Sequence, residues 1–377
     1  MDISKLKQEV IEYSEKIGID EIGFASADVF SELKGRLHAQ EKLNYASGFE
    51  KGTVQERTEP RRLMNEAASI ISIALAYPSR IPSPPKSKKG ERRGIFCRAS
   101  WGLDYHHVLR DRLEKLMEYI QEIVPDVQYK IMVDTGELSD RAVAERAGIG
   151  FSGKNTLLIT EKYGSYVYLG EVITNLPFIP DSPVEDSCGD CRICLDACPT
   201  GALVQGGQLN AQKCLAFQTQ TKDFLPDVFR DKIGTRLYGC DTCQAVCPRN
   251  KGIDFHLHKE FEPEPEVAKP LLTPMLRISN RSFRTKFGHI SGFWRGKNPL
   301  QRNAILALAH YKDESAVDEL IAVMREDVRP VIRGTAAWSL GKIGTKEAIS
   351  AIKKALEKET DERVIVEMEK GLDFQLS

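Results

Sequence analysis

Nowhere in the 377 residues do eighteen apolar residues run uninterrupted, so nothing reads as a membrane-spanning helix. No charged start followed by an apolar core opens the chain; MDISKLKQEVIEYSEKIGI reads as an amphipathic helix. Net charge is also lacking, at −1, so the total gives no hint of nucleic acid. Hydrophobic residues make up 41% and charged residues 28%, values typical of a globular protein with no membrane partner. At this length a core can form without covalent staples, and two to three domains fit. The cytoplasm is the expected compartment. In that reducing setting, grouped cysteines are metal ligands or redox groups rather than disulfides.

Nine cysteines are present, and eight fall into one pattern. The first run, Cys188, Cys191, Cys194 and Cys198-Pro199, has the spacing C-x₂-C-x₂-C-x₃-C-P of bacterial ferredoxins. In such a run three thiolates grip one cube and the fourth is aimed at another. The second run, Cys240, Cys243 and Cys247-Pro248, keeps the last three positions, with Leu237 where the first cysteine belongs. Cys214, between the runs, can replace it. One [4Fe–4S] cluster then takes Cys188, Cys191, Cys194 and Cys247, and the other takes Cys198, Cys214, Cys240 and Cys243. Zinc also takes four thiolates, but zinc ribbons favour paired C-x₂-C knuckles without the third cysteine or the trailing Cys-Pro. Two clusters in series move single electrons, so the preceding 180 residues should hold a redox catalyst.

Residues 1–180 alternate helical and strand-like runs and are expected to form an α/β or α+β domain. Ser69–Ala76, Tyr129–Val133 and Tyr166–Thr174 read as strands, and Tyr105–Ile123 as a helix. Residues 181–254 hold the cluster module, and 255–297 connect it to a helical tail, 298–377. In the tail, Gln301 onward aligns with Arg333 onward at an offset of 32, the mark of a short HEAT-like array. The stretch Arg277–Arg302 has seven basic residues and no acidic one, interleaved with Phe283, Phe287, Phe293 and Trp294. Such a mixture suits phosphates and splayed bases, and equally suits a solvated basic face beside a core stripe.

Gly148-I-Gly150-F-S-Gly153-Lys154-Asn155-Thr156 satisfies G-x-G-x-x-G and nearly satisfies the Walker pattern. Both need a strand before and a helix after, and here the order is reversed. The reading is a helix cap at Gly148 that continues into a loop able to lie flat against a bulky cofactor. Asp134-T-Gly136 follows a strand. It is either an acid whose pKa burial raises towards neutrality or a turn aspartate. Cys97, the odd cysteine, has the usual alternative of a small buried hydrophobe.

Together these segments resemble the epoxyqueuosine reductase family. The resemblance is carried by Asp104-Tyr105-His106, Asp134-T-G, Ala147–Thr156, Cys188–Thr200, Cys214, Tyr238–Asn250 and the HEAT-like tail. It covers essentially the whole chain, with one departure at Phe151-Ser152, where Trp and a small residue are common. It implies a nitroreductase-like, cobalamin-binding first domain, with Arg57, Cys97, Asp134, Ser152, Gly153, Lys154, Asn155 and Thr156 on the cofactor side. The implied reaction reduces epoxyqueuosine at the wobble position of the tRNAs for Tyr, His, Asn and Asp, with Asp134 as proton donor. Electrons would come from an external low-potential donor. Arg281, Arg284, Lys286, Arg295, Lys297 and Arg302 would grip the anticodon stem-loop, and the chain is expected to be a monomer. The rival readings are a cobalamin-handling maturation protein without RNA and a HEAT scaffold with structural clusters. A reductive dehalogenase is disfavoured, since no twin-arginine signal is seen.

Overall fold

A computed structural model describes residues 2–374; Met1 and 375–377, at the ends of the first and last expected domains, lie outside it. The chain divides into two compact units that cut across the linear boundaries expected above. The first contains residues up to Arg80, Gly102–Cys214 and Asp241–Glu262; the second contains Ile81–Trp101, Leu215–Cys240 and the chain from Pro263 on.

In the first unit, helix α1 (Ile3–Lys16) starts where the Asp2 carboxylate accepts the amides of Ser4 and Lys5, and it buries Leu6 and Val10. Strands β1 (Glu21–Ser26), β2 (Ser69–Ala76), β3 (Tyr129–Met132) and β4 (Val167–Thr174) form one sheet in the order β1-β2-β4-β3. Every pairing is antiparallel, so the unit is α+β and not a doubly wound α/β sheet. The apolar run Ser69–Ala76 is buried at all eight positions, as a central strand covered on both faces requires. Helix α2 (Tyr105–Ile123) presents Leu109, Leu113, Leu116 and Ile120 to the core at helical spacing. Helix α3 (Asp140–Arg146) packs across β1, β2 and β4.

The second unit is helical, apart from a short parallel pairing of Ile95–Phe96 with Arg236–Tyr238. Helices α4 (Asn280–Phe287), α5 (Lys297–Tyr311), α6 (Val317–Glu326), α7 (Pro330–Ile343), α8 (Lys346–Leu356) and α9 (Glu362–Asp373) follow in order. The offset repeat is real: α5 and α6 correspond to α7 and α8. Small residues sit where helices touch. A Cβ on Gly341 would lie 2.0 Å from the carbonyl oxygen of Gly371, so α7 and α9 approach backbone to backbone.

Arg302 is corrected here. It is 1% exposed, and its guanidinium donates to the carbonyls of Gln218, Thr221 and Asp223. Beside it, Asn303 donates to the carbonyls of Thr219 and Leu237. Burial lowers the Arg302 pKa to about 10, so it stays charged at neutral pH, but all its donors face inward and none is left for a phosphate.

Gly341→Ala should lower the unfolding midpoint of the full chain through a clash of roughly 1–3 kcal/mol. Circular dichroism melting measures it, and an unshifted midpoint would show that the helices part without cost.

Candidate functional site

The last residue of β3 is Met132, and beyond it the backbone folds back on itself. Asp134 has a φ of 51°, in the left-handed region that non-glycine residues rarely occupy. The Thr135 amide donates to the Val133 carbonyl across it, closing a three-residue turn. Gly136 is required by close approach, since a Cβ there would come 2.7 Å from the Met132 side chain. The rule that places chemistry beyond parallel strands does not apply to this antiparallel sheet. Asp134 owes its position instead to this turn at the end of the outer strand β3.

The Asp134 carboxylate lies 3.3 Å from His106 Nε2, and His106 Nδ1 lies 2.6 Å from Asp104 Oδ1. Asp104 also caps α2 by accepting the His106 amide at 3.1 Å. The imidazole stacks on Tyr105 at 4.2 Å, and Tyr105 stacks on Tyr168 of β4 at 4.5 Å. Burial lowers the His106 pKa, but hydrogen bonds and charge from the two aspartates more than reverse this, raising it to about 9. His106 is therefore an imidazolium at neutral pH. Its hydrogen bond holds the Asp134 carboxyl below its ordinary range, outweighing desolvation. The Asp134 side chain is 63% exposed and stands as the carboxylate of an ion pair; the neutral acid expected on burial would need a ligand to cover it.

Behind this pair lie two further carboxyls. The Asp134 amide donates to Asp140 Oδ2 at 2.8 Å. Burial, then the charge of Asp134, pushes Asp140 up to about 7. Glu171 of β4 is fully buried, and desolvation followed by the charges of Asp140 and Asp134 raises it well above its ordinary value. Both its oxygens, and the Ser72 hydroxyl opposite it in the sheet, lack hydrogen-bond partners among the described residues. His106, Tyr105, Asp140 and Glu171 had been given no role in the sequence. The capping pattern of Asp104 was a readable signal; a lone Glu in an apolar strand is a weaker one.

None of the nine cysteines is in a disulfide. The short helices Ile193–Asp196 and Thr242–Ala245, one within each run, pack on each other. Desolvation chiefly raises the thiol pKa of Cys188 and Cys194, and Cys247 adds to it at both, at Cys188 only after Asp186, so Cys247 lies near each. Cys198 is held below the ordinary thiol range: burial opposes ionisation, but the amides of Leu203, Thr200 and Ala202 aimed at its sulfur overcome it. Such a donor set fits thiolate ligands. Cys198, Cys214 and Cys243 belong to the first unit, and Cys240 is the last residue of its segment in the second.

The glycine loop follows α3, with Gly148 in the left-handed region at φ 74°. Phe151–Ser152 then pairs with Leu158–Ile159 as a small hairpin, with no helix following, so neither nucleotide motif is met. Ser152 bonds Glu145 through both its amide and its hydroxyl. Lys154 donates to the carbonyls of Gly189 and Cys191, the latter at 3.1 Å, and Asn155 to that of Cys243 at 3.5 Å. The loop's polar side chains thus clamp the cysteine loops. Arg57 is half-buried and Arg141 near it is exposed, whereas Cys97 lies in the second unit, beside Gly239.

On α4, Phe283 and Phe287 face the core while Arg281 and Arg284 are exposed and Lys286 is half-buried. Trp294 is 52% exposed. Arg295 donates to the Gln220 carbonyl and Lys297 to that of Ile278.

Family models agree with this organisation. That described as epoxyqueuosine reductase QueG, DUF1730, matches residues 57–135; a 4Fe-4S double cluster binding domain matches 187–250, and HEAT repeats match 297–372. The chain is an iron–sulfur oxidoreductase. It belongs to the epoxyqueuosine reductase family. It is 65% identical to the epoxyqueuosine reductase of Bacillus anthracis over 99% of this chain and 98% of that one. The Bacillus subtilis enzyme is 63% identical over 99% and 97% of the two chains. A crystal structure of epoxyqueuosine reductase with a tRNA-Tyr epoxyqueuosine-modified stem loop superposes with a TM-score of 0.98, at 62% identity and full coverage of both chains. A further Bacillus subtilis structure, described as having its Asp134 catalytic loop swung out of the active site, gives 0.97 at 62% identity, covering 99% of this chain and 100% of that one.

Asp104→Asn removes the anion at His106 Nδ1, and the imidazole pKa should fall from about 9 towards the ordinary histidine range. Histidine-selective NMR titration reads this. An unmoved value would mean that Asp134 alone keeps the ring charged.

Proposed function

We propose that this chain reduces the epoxide of epoxyqueuosine to the alkene of queuosine at the tRNA wobble position, with Asp134 as proton donor. The observation that carries this reading is the Asp104–His106–Asp134 array, which presents a protonated, acid-bearing pair at an accessible turn. Opening the epoxide and expelling its oxygen as water takes two electrons and two protons. Cys188, Cys191, Cys194 and Cys247 would hold one [4Fe–4S] cluster, and Cys198, Cys214, Cys240 and Cys243 the other. The clusters pass on single electrons from an external low-potential donor.

Cobalamin, when bound, would supply a low-potential cobalt centre that carries those electrons to the substrate. Its support is the family resemblance. Of the side chains expected to hold it, Ser152, Lys154 and Asn155 already have partners within the protein. The loop would therefore meet the ring through Gly153, Thr156 and backbone, with Arg57 and Cys97 as further candidates.

The relative crystallised with a modified stem loop supports RNA as the partner, and extension to the tRNAs for His, Asn and Asp follows the family. Arg281 and Arg284 are the exposed donors best suited to phosphate, with Lys286, Arg295 and Lys297 beside them in sequence. We read the 134–139 turn as able to move, as the swung-out loop of the Bacillus subtilis relative suggests. A monomer in the cytoplasm suits the role; no described helix is long and apolar enough to cross a membrane.

Cys214→Ser should remove one cluster's worth of iron, half of the total, while Cys97→Ser leaves iron unchanged. Iron analysis of anaerobically prepared protein checks both, and iron loss in the Cys97 variant would overturn the ligand assignment.

The reading itself is tested by Asp134→Asn, which keeps the size and hydrogen-bonding capacity of the side chain but cannot take up and pass on a proton. Single-turnover queuosine formation should fall by about 10²–10⁴, with cobalamin binding, tRNA binding and cluster absorbance retained. Near-normal turnover would leave Asp134 as a turn residue.

A further inference from the structure

The Asp134 turn is strained, and something must hold it. Its φ of 51° puts a non-glycine residue in the left-handed region, and the Thr135-to-Val133 hydrogen bond closes the backbone tightly around it. Farther along, the turn is tied down elsewhere: Glu137 pairs with Lys51 at 3.0 Å and Lys130 at 3.1 Å. At Asp134 itself the backbone amide has one acceptor, Asp140 Oδ2 at 2.8 Å. Asp140 is the first residue of α3, whose N-cap residue Ser139 makes no side-chain capping bond. The Asp140 carboxyl is thus turned back onto the strand-end turn. The helix that carries it packs across three strands of the sheet, which makes it a rigid anchor for the strained turn.

We propose that Asp140 is a positioning residue for the reaction, its carboxylate holding the Asp134 amide so that the Asp134 side chain stays against His106. This rests on the reading of Asp134 as proton donor, and it adds what keeps that donor in place.

The groups facing Asp140 decide when it is a carboxylate. Burial and the charge of Asp134 discourage its charge, while Arg141 on its own helix favours it. Glu145 on α3 and the cation of Arg57 act on Arg141, and His106 acts through Asp134. Glu171 is kept neutral by burial and adds no charge of its own. The Asp134 amide bond favours ionised Asp140, so by linkage protonation of Asp140 weakens that bond. Asp140 is pushed up to about 7, so the hold is full above that pH and weakens as pH falls through it.

The test uses the full chain with its clusters and cobalamin, comparing Asp140→Ala and Asp140→Asn with the parent. Two readouts are taken: single-turnover rate against pH, and hydrogen exchange of the Asp134 amide. Asp140→Ala should lose roughly ten- to hundredfold in rate, the effect of a lost charge-assisted hydrogen bond, together with the amide's protection. Cluster absorbance and stem-loop affinity should persist. Asp140→Asn offers a neutral oxygen, as the protonated carboxyl does, and should show only the weaker protection that the parent has below its pKa. Its rate should no longer fall as pH drops through about 7, the limb present in the parent. An alanine variant with parental protection and rate, or an asparagine variant that keeps the parental pH limb, would overturn the proposal. Asp134→Asn separates the two ideas: if it turns over normally, the proton-donor reading fails, while lost amide protection in Asp140→Ala would still show that Asp140 holds the turn.

Discussion

An imidazolium beside a carboxylate governs the candidate site. His106 stays protonated because two aspartates face its two nitrogens, and Asp134 stays ionised because that cation is there. Neither state belongs to one residue; the trio titrates as a unit. Each part of the local fold serves this contact. Asp104 fixes the start of α2, so the ring that follows two residues later points at the end of β3. Tyr105 and Tyr168 stack beside the ring and restrict it. The left-handed backbone at Asp134 turns its carboxylate towards the ring instead of along the strand.

A second constraint lies in the cysteine loops. Burial discourages ionisation of Cys188 and Cys194, and the neighbouring Cys247 adds to that effect. Loops under such stress need backbone anchors, and the glycine hairpin provides them. Lys154 and Asn155 reach the carbonyls of Gly189, Cys191 and Cys243, carbonyls drawn from both cysteine runs. The same residues that imitate a phosphate-binding motif in sequence are ammonium and amide donors to backbone oxygens in the fold. Gly206 packs on the Lys154 side chain, where a Cβ would come within 2.9 Å, so the lysine stem is itself confined.

Much of this was legible in sequence, for physical reasons. Ser69–Ala76 and Tyr105–Ile123 were read with their observed ends, because a bounded apolar run and a clean 3.6 period leave little choice. Cysteine spacing is equally direct, since ligand geometry dictates it. Sheet direction was not legible: the four strands are far apart in sequence, and nothing local distinguishes parallel from antiparallel partners. Arg302 was misread for a related reason. Adjacency in a basic stretch says nothing about which face of α5 a side chain takes. That helix is buried continuously from Pro299 to Ala309, without a polar stripe to give warning. The pairing of Asp134 with His106 was not legible because the two lie twenty-eight positions apart.

The ion pair bears on how a proton is delivered. A carboxylate cannot protonate an alkoxide, so an ionised Asp134 needs a proton before it can act. The imidazolium in contact with it holds one, at a pKa of about 9 that exists only while the aspartates are charged. A substrate that covers Asp134 removes water from a side chain now 63% exposed. Desolvation then disfavours both charges of the pair at once, and moving the proton from His106 to Asp134 neutralises both. On the proton-donor reading, covering the site would itself produce the neutral acid. The exposure of Asp134 before substrate arrives is then consistent with its role, because burial by the substrate is what would change its state.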